Sequence, residues 1–113
     1  MHALVIEDEV MIATEIEFVL RECGFATVDI ACSRGAAVDA AAANCPDLIT
    51  ADVDLRPECG IETVRTIGPQ STTPVIFITA NAVEARRRVP QNTVLPKPFS
   101  EQTLAYTIRA ALA

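Results

Sequence analysis

Side chains that could carry out chemistry stand at the ends of short apolar segments of the chain: Glu7-Asp8, Asp52, Thr79 and Lys97. Carboxylates that are crowded together repel one another, and some stay protonated unless a cation joins them. Oxygen ligands of this kind suit Mg²⁺, or Mn²⁺ in its place. A carboxylate nucleophile, a metal ion, a lysine and a hydroxyl group are what phosphoryl transfer requires. We therefore expect Asp52 to accept a phosphoryl group.

For these side chains to meet, the segments that end in them must be parallel strands whose carboxyl ends share one edge of a sheet. The sequence predicts five short apolar strands, of the kind that helices cover on both faces. They are Ala3–Ile6, Phe25–Ala31, Leu48–Asp52, Val75–Thr79 and Thr93–Lys97. Pro96 cannot donate a hydrogen bond to a neighbouring strand, so the fifth should lie at an edge of the sheet.

A helix is predicted after each strand, which gives an α/β fold with five helices. The first helix ends at Gly24 and has one apolar face, formed by Ile12, Ile16, Val19, Leu20 and Cys23. The second helix is capped by Ser33 and ends before Pro46. A loop over Arg56–Gly60 precedes the third helix, which carries Ile61, Val64 and Ile67. Asn81 with Glu84 favours a capped but short fourth helix, and Ser100 caps a fifth with Leu104, Ile108 and Leu112 inward.

Composition limits the classes of function. The 113 residues predict one domain, 1–113, without room for a second, output domain, and half of them are apolar, as in a folded globule. The net charge of −6 argues against intrinsic binding to nucleic acid or to an anionic membrane. There is no apolar run of membrane-spanning length and no leader pattern, so a cytoplasmic protein is expected. The four cysteines form no C-x-x-C pair and predict reduced thiols, not a zinc site.

The whole set of motifs resembles the receiver domain of two-component response regulators. The motifs are Glu7-Asp8 after the first strand, Asp52 after Pro46-Asp47-Leu48-Ile49, Thr79-Ala80 after the fourth, and Lys97-Pro98-Phe99. The resemblance covers the whole chain, and it implies a flavodoxin-like, doubly wound parallel sheet with strand order 2-1-3-4-5. It also implies that the phosphoryl group comes from a phosphohistidine on a sensor histidine kinase or a histidine phosphotransfer protein.

The resemblance further assigns roles to single residues. Asp8 would bind Mg²⁺ directly, Glu7 directly or through water, and Asp52 and the backbone carbonyl of Asp54 would complete the ligands. Thr79 and Lys97 would contact the phosphoryl group, and the bond between Lys97 and Pro98 is often cis in such domains. The phosphorylated domain would signal by binding a downstream protein, which the sequence does not name, or would drain phosphate from a relay.

One position departs from the family pattern. Receivers usually carry an aromatic residue three positions before the lysine, and it rotates inward on phosphorylation; here that position is Val94. The stretch between Thr79 and Lys97 is also short. These features resemble atypical single-domain receivers of the FAT GUY type, whereas Val75–Ala80 and Asp52–Leu55 are more similar to receivers attached to stress-response anti-anti-sigma regulators.

Asp54 and Asn81 stand two positions after Asp52 and Thr79, respectively. In receivers, the residues at these two positions flank the path of the water that attacks the phosphoryl group. We therefore expect Asp54 and Asn81 to set the lifetime of the phosphoryl group. Two other classes of function stay open. One is a pseudo-receiver, an interaction module that never accepts phosphate, which Val94 alone favours. The other is a small aspartate-nucleophile phosphatase, which would need Asp54 as a general acid and a substrate pocket. The expected protein turns over no separate substrate.

Overall fold

A five-stranded parallel sheet forms the centre of the protein. The computed structural model describes residues 1–68 and 72–113. The sheet strands are β1 (His2–Ile6), β2 (Thr27–Ala31), β3 (Leu48–Asp52), β6 (Val75–Thr79) and β7 (Thr93–Pro96), and a separate pair is formed by β4 (Asp54–Leu55) and β5 (Glu58–Cys59). The order in the sheet is β2-β1-β3-β6-β7, with every pair parallel. The predicted order 2-1-3-4-5 is therefore confirmed, because β6 and β7 are the predicted fourth and fifth strands.

Five helices cover the sheet. They are α1 (Val10–Glu22), α2 (Arg34–Ala43), α3 (Gly60–Ile67), α4 (Ala82–Arg88) and α5 (Glu101–Leu112). Side chains of α1 and α5 share one core with one face of the sheet, and side chains of α2 and α3 share a second core with the other face. Both central strands β1 and β3 are buried along their whole length, as the continuous apolar runs predict. Among the described residues, no helix combines the length and apolar character that a membrane span requires.

The turn after α1 corrects the predicted start of the second strand. Gly24 has a φ of 102° and ends the helix, as predicted. The amides of Gly24 and Phe25 donate to the carbonyls of Arg21 and Leu20, each at 3.1 Å, which is the Schellman pattern. Phe25 therefore belongs to the helix end, and the strand begins two residues later, at Thr27.

The predicted loop over residues 56–60 is correct at Arg56 and Pro57, which form a turn, and wrong from Glu58 onward. β4 and β5 form a small antiparallel hairpin in which Asp54 pairs with Cys59 and Leu55 with Glu58. Gly60 is already the first residue of α3. The bonds from Arg56 to Pro57 and from Lys97 to Pro98 are both cis. The hairpin follows Asp52 almost directly and so belongs to the edge of the sheet where the candidate site lies.

The last third of the chain follows the prediction closely. α4 has only seven residues, and the Asn81 side chain caps it by accepting from the Glu84 amide at 3.3 Å. β7 is an edge strand, with Pro96 opposite Thr79. Ser100 caps α5 through the Thr103 amide at 3.0 Å. These elements place Thr79 and Lys97 at neighbouring strand ends.

Candidate functional site

Three acidic side chains meet at the carboxyl edge of the sheet. Glu7 and Asp8 follow β1, and Asp52 ends β3, which pairs directly with β1. One carboxylate oxygen from each of the three lies within 4.8 Å of the others. Glu7 and Asp52 are only 2% and 3% exposed, whereas Asp8 is open to solvent. The group could therefore hold a hard cation between two buried carboxylates and an exposed one.

Lys97 supplies the positive charge that partly compensates this cluster. Its Nζ lies 3.2 Å from Oδ2 of Asp52 and 3.5 Å from Oε1 of Glu7, and its side chain is 17% exposed. Burial lowers the pKa of Lys97, but the charges of Asp52 and Glu7 outweigh that effect and raise it above its ordinary value. The lysine therefore stays protonated between the two carboxylates.

Glu7 shows how crowded the cluster is. Burial, with a smaller contribution from the charge of Asp52, raises the pKa of its carboxyl group from 4.5 to about 7. The hydrogen bond from the Glu9 amide, at 3.2 Å, and the charge of Lys97 act in the opposite direction. A single lysine does not offset the repulsion between these carboxylates. This donor set fits a divalent cation, which would favour the ionised form of Glu7.

Asp52 is held in one orientation by contacts on both of its oxygens. Oδ1 accepts a hydrogen bond from the Asp54 amide at 3.1 Å, and Oδ2 accepts from Lys97. Gly60, the first residue of α3, packs against the backbone of Asp52 so closely that an added Cβ would lie 1.9 Å from the Asp52 carbonyl oxygen. This contact joins two separate elements, so it could not be predicted from the sequence alone.

Thr79 lies at the end of β6, next to the strand that ends in Asp52. Its side chain is 4% exposed, and its hydroxyl oxygen accepts a hydrogen bond from the Asn81 amide at 3.0 Å. The hydroxyl proton is thus free to be donated elsewhere. The backbone of the same residue accepts from the Lys97 amide at 2.8 Å, so the two predicted phosphoryl-contacting residues are joined directly.

The side chains of the remaining predicted residues lie outside the acidic cluster. The side chain of Asp54 is exposed and lies 3.3 Å from Arg56, while that of Asn81 caps α4. Both line an open cleft of about 430 Å³ whose other walls include Thr79, Glu58 and Arg88. Val94 is half-buried on β7 and packs against the core beneath α3. Pro98 follows Lys97 through its cis bond.

Cys59, which the sequence interpretation treated as a plain apolar side chain, lies in the same cleft. Burial raises the pKa of its thiol, but the backbone amides of Glu62 and Ile61 and the Arg88 guanidinium, 3.5 Å away, together lower it below its ordinary value. The four cysteines are free thiols, as predicted.

Comparisons with known proteins agree with this geometry. The family model of the response regulator receiver domain matches residues 3–109. The transcriptional regulatory protein PdtaR of Mycobacterium tuberculosis is 32% identical over 97% of this chain and 56% of its own length. The response regulator ArlR of Staphylococcus epidermidis is 35% identical over 96% of this chain and 51% of its own length. The chain thus spans about half the length of the curated relatives it matches.

Solved structures show the same fold. The receiver domain of the response regulator PhyR from Erythrobacter litoralis has a TM-score of 0.88 at 36% identity, covering 98% of this chain and 88% of its own. The anti-anti-sigma factor PhyR from Bartonella quintana has a TM-score of 0.83 at 34% identity, covering 98% of this chain and 46% of its own. The chemotaxis protein CheY4 of Vibrio cholerae has a TM-score of 0.85 at 25% identity and covers 98% of both chains.

Proposed function

Because the chain belongs to the response regulator receiver domains, we propose that Asp52 accepts a phosphoryl group from a phosphohistidine donor in a Mg²⁺-dependent reaction. The observation that carries the proposal is the grouping of one oxygen each from Glu7, Asp8 and Asp52 within 4.8 Å, with Lys97 3.2 Å from Asp52. The proposed nucleophile, the carboxylates that would hold the cation and a lysine close to both lie at one sheet edge. Phosphoryl transfer depends mainly on such positioning and charge compensation.

In the proposed reaction, a carboxylate oxygen of Asp52 forms a bond to phosphorus while the bond from phosphorus to the donor's imidazole nitrogen breaks. Glu7, Asp8, Asp52 and the backbone carbonyl of Asp54 would hold the metal. When bound, the metal would offset the repulsion between the anionic nucleophile and the anionic donor. Lys97 and the free hydroxyl proton of Thr79 would then neutralise and bind the phosphoryl oxygens.

The output would be phosphorylation-dependent binding of a downstream protein, or drainage of phosphate from a relay. The donor would be a sensor histidine kinase or a histidine phosphotransfer protein, and the reaction would take place in the cytoplasm. Similarity to PhyR, which is named an anti-anti-sigma factor, supports a protein as the downstream partner. The protein would catalyse its own phosphorylation and dephosphorylation and would turn over no separate substrate.

A pseudo-receiver that never accepts phosphate is the second candidate, and Val94 supports it. An aliphatic, half-buried side chain at this position cannot swing between two orientations as a large aromatic ring does. The intact acidic cluster and its lysine favour the first candidate.

Intact mass after incubation with acetyl phosphate tests the proposal, with and without Mg²⁺, on wild type and on Asp52→Asn. We expect one added phosphoryl group that requires the metal and is lost in the variant. If no adduct forms, titration with beryllofluoride separates two cases. A receiver whose aspartyl phosphate is short-lived still binds this mimic at the unphosphorylated Asp52, whereas a pseudo-receiver does not. Release of phosphate from a generic ester would instead indicate a phosphatase.

A further inference from the structure

The hairpin of β4 and β5 carries a proposed metal ligand, yet it is a weak element by itself. Each strand has two residues, and an isolated two-stranded hairpin is marginally stable at best in water. Among the residues that the structure describes, the Asp54 side chain pairs with Arg56, which also lies in the hairpin and is 83% exposed. The position of the Asp54 backbone carbonyl must therefore depend on contacts between the hairpin and the rest of the protein.

Leu55 and Glu58, on opposite strands, are two of the hairpin residues that make such contacts. Leu55 on β4 is fully buried. Opposite it on β5, Glu58 reaches the start of α2, where its Oε1 accepts a hydrogen bond from the Arg34 amide at 2.7 Å. This amide belongs to the first turn of a helix, where it has no partner within the helix. A short bond from a carboxylate to such an amide is strengthened by the charge and by the helix dipole.

The pairing register brings this contact next to the metal site. Glu58 pairs with Leu55, and the adjacent pair is Cys59 with Asp54. We propose that Glu58 is a positioning residue for the cation site: by joining the hairpin to α2, it holds the Asp54 carbonyl where the metal requires it. The inference rests on the proposed function, because it assumes that the cluster of Glu7, Asp8 and Asp52 binds Mg²⁺.

Capping of α2 does not by itself explain the hydrogen bond between Glu58 and the Arg34 amide. Ser33 already caps this helix, since its hydroxyl accepts from the Ala36 amide at 3.2 Å. Both residues satisfy amides in the first turn of α2, but only Glu58 belongs to the hairpin. Ser33→Ala is therefore a matched control that weakens the same helix end without releasing the hairpin.

A direct effect of the Glu58 charge on the metal would be an alternative explanation for weaker Mg²⁺ binding. Glu58 lines the cleft beside Thr79, so its loss removes a negative charge near the cation. Glu58→Gln removes that charge but keeps an oxygen that can accept from the Arg34 amide. If charge alone mattered, Glu58→Gln and Glu58→Ala would weaken Mg²⁺ binding equally. If position matters, Glu58→Gln stays close to wild type.

The experiment is calorimetric titration of the full chain with MgCl₂, with thermal unfolding midpoints measured in parallel. We expect Glu58→Ala to weaken Mg²⁺ binding about tenfold, as for residues that orient metal ligands. Glu58→Gln and Ser33→Ala should each change it less than threefold, although Ser33→Ala lowers the midpoint. In wild type the Arg34 amide should exchange slowly with solvent, and in Glu58→Ala faster.

Three results would overturn the inference. In the first, Glu58→Ala binds Mg²⁺ as tightly as wild type. In the second, Glu58→Gln binds as weakly as Glu58→Ala, which would assign the effect to charge. In the third, Ser33→Ala weakens binding as much as Glu58→Ala. Failure of wild type itself to bind Mg²⁺ would instead remove the proposed metal site, and this inference with it. If Glu58→Ala does not fold, Glu58→Leu, which keeps a side chain of similar size but cannot accept from the Arg34 amide, replaces it under the same criteria.

Discussion

The ammonium group of Lys97 lies 3.2 Å from a carboxylate oxygen of Asp52, although the two residues are 45 positions apart in the chain. The same group lies 3.5 Å from Glu7, which is 90 positions away. Asp52 and Glu7 are almost completely buried, so the lysine is the nearest compensation for two carboxylates that water barely reaches. Removing one partner from such an arrangement costs more free energy than the intact arrangement contributes, because a charge is left buried without a partner.

Replacement of Lys97 by methionine should therefore lower the free energy of unfolding of the metal-free protein by about 2–4 kcal/mol at pH 8. Lys97→Arg, which keeps the charge, should lose less. Urea denaturation of both variants measures the difference. Addition of Mg²⁺ should reduce the deficit of Lys97→Met if the metal binds as proposed. Equal stability of Lys97→Met and wild type would show that the contact compensates nothing.

Stability of the metal-free protein should depend on pH through Glu7. The pKa of Glu7 is about 7 in the folded state, compared with an ordinary value of 4.5, which we take for the unfolded state. Between these pH values, Glu7 is therefore more protonated in the folded state than in the unfolded state. The free energy of unfolding should therefore fall as the pH rises from about 4.5 to about 7, by up to about 3 kcal/mol at 1.4 kcal/mol per pKa unit. Glu7→Gln should flatten this part of a urea-denaturation profile, and an unchanged slope would contradict the assignment.

Gly60 should tolerate no side chain. A Cβ at this position would meet the Asp52 carbonyl oxygen at 1.9 Å, so α3 or the end of β3 must shift. We expect Gly60→Ala to cost about 1–3 kcal/mol of stability and to slow phosphorylation, because the backbone of the acceptor moves. Gly35→Ala is the control: nothing lies within 4 Å of its Cβ, and alanine in a helix favours stability by up to about 1 kcal/mol. Similar midpoints for the two variants would refute the contact.

Asp54 and Asn81 should set the lifetime of the aspartyl phosphate, since both line the open cleft beside Thr79. Asp54→Ala and Asn81→Ala should each change the dephosphorylation half-life several-fold, measured by the decay of the mass adduct. Asn81→Ala should also cost about 1 kcal/mol through loss of the α4 cap, whereas Asn81→Ser keeps a capping oxygen. If the half-life follows stability across these variants, the side chains act only through the fold.

The sequence was sufficient to predict the residues at the carboxyl edge of the sheet, because four of the five strands are short, mostly apolar segments that lead into a distinctive polar side chain. The order of the strands was implied by the family resemblance and not by these segments. The sequence was not sufficient for the hairpin: two-residue strands carry no period, and Arg56-Pro57 resembled an ordinary loop. The contacts from Glu58 to Arg34 and from Gly60 to Asp52 join separate elements, so no local pattern encodes them. The turn at Gly24 and Phe25, in contrast, has a pattern that can be recognised in the local sequence, because it is a Schellman motif.

The parallel order of the sheet also has a consequence for biosynthesis. β7, which brings Lys97 beside the acidic cluster, is the edge strand next to β6 and comes last of the strands in the described part of the chain. During synthesis from the amino terminus, Glu7, Asp8 and Asp52 can come together before the lysine has been added. A nascent chain or a proteolytic fragment that ends before Lys97 would thus carry the acidic cluster without its lysine. Under the proposed function, such an incomplete chain would be a poor phosphoryl acceptor, because the lysine that neutralises the phosphoryl oxygens is missing.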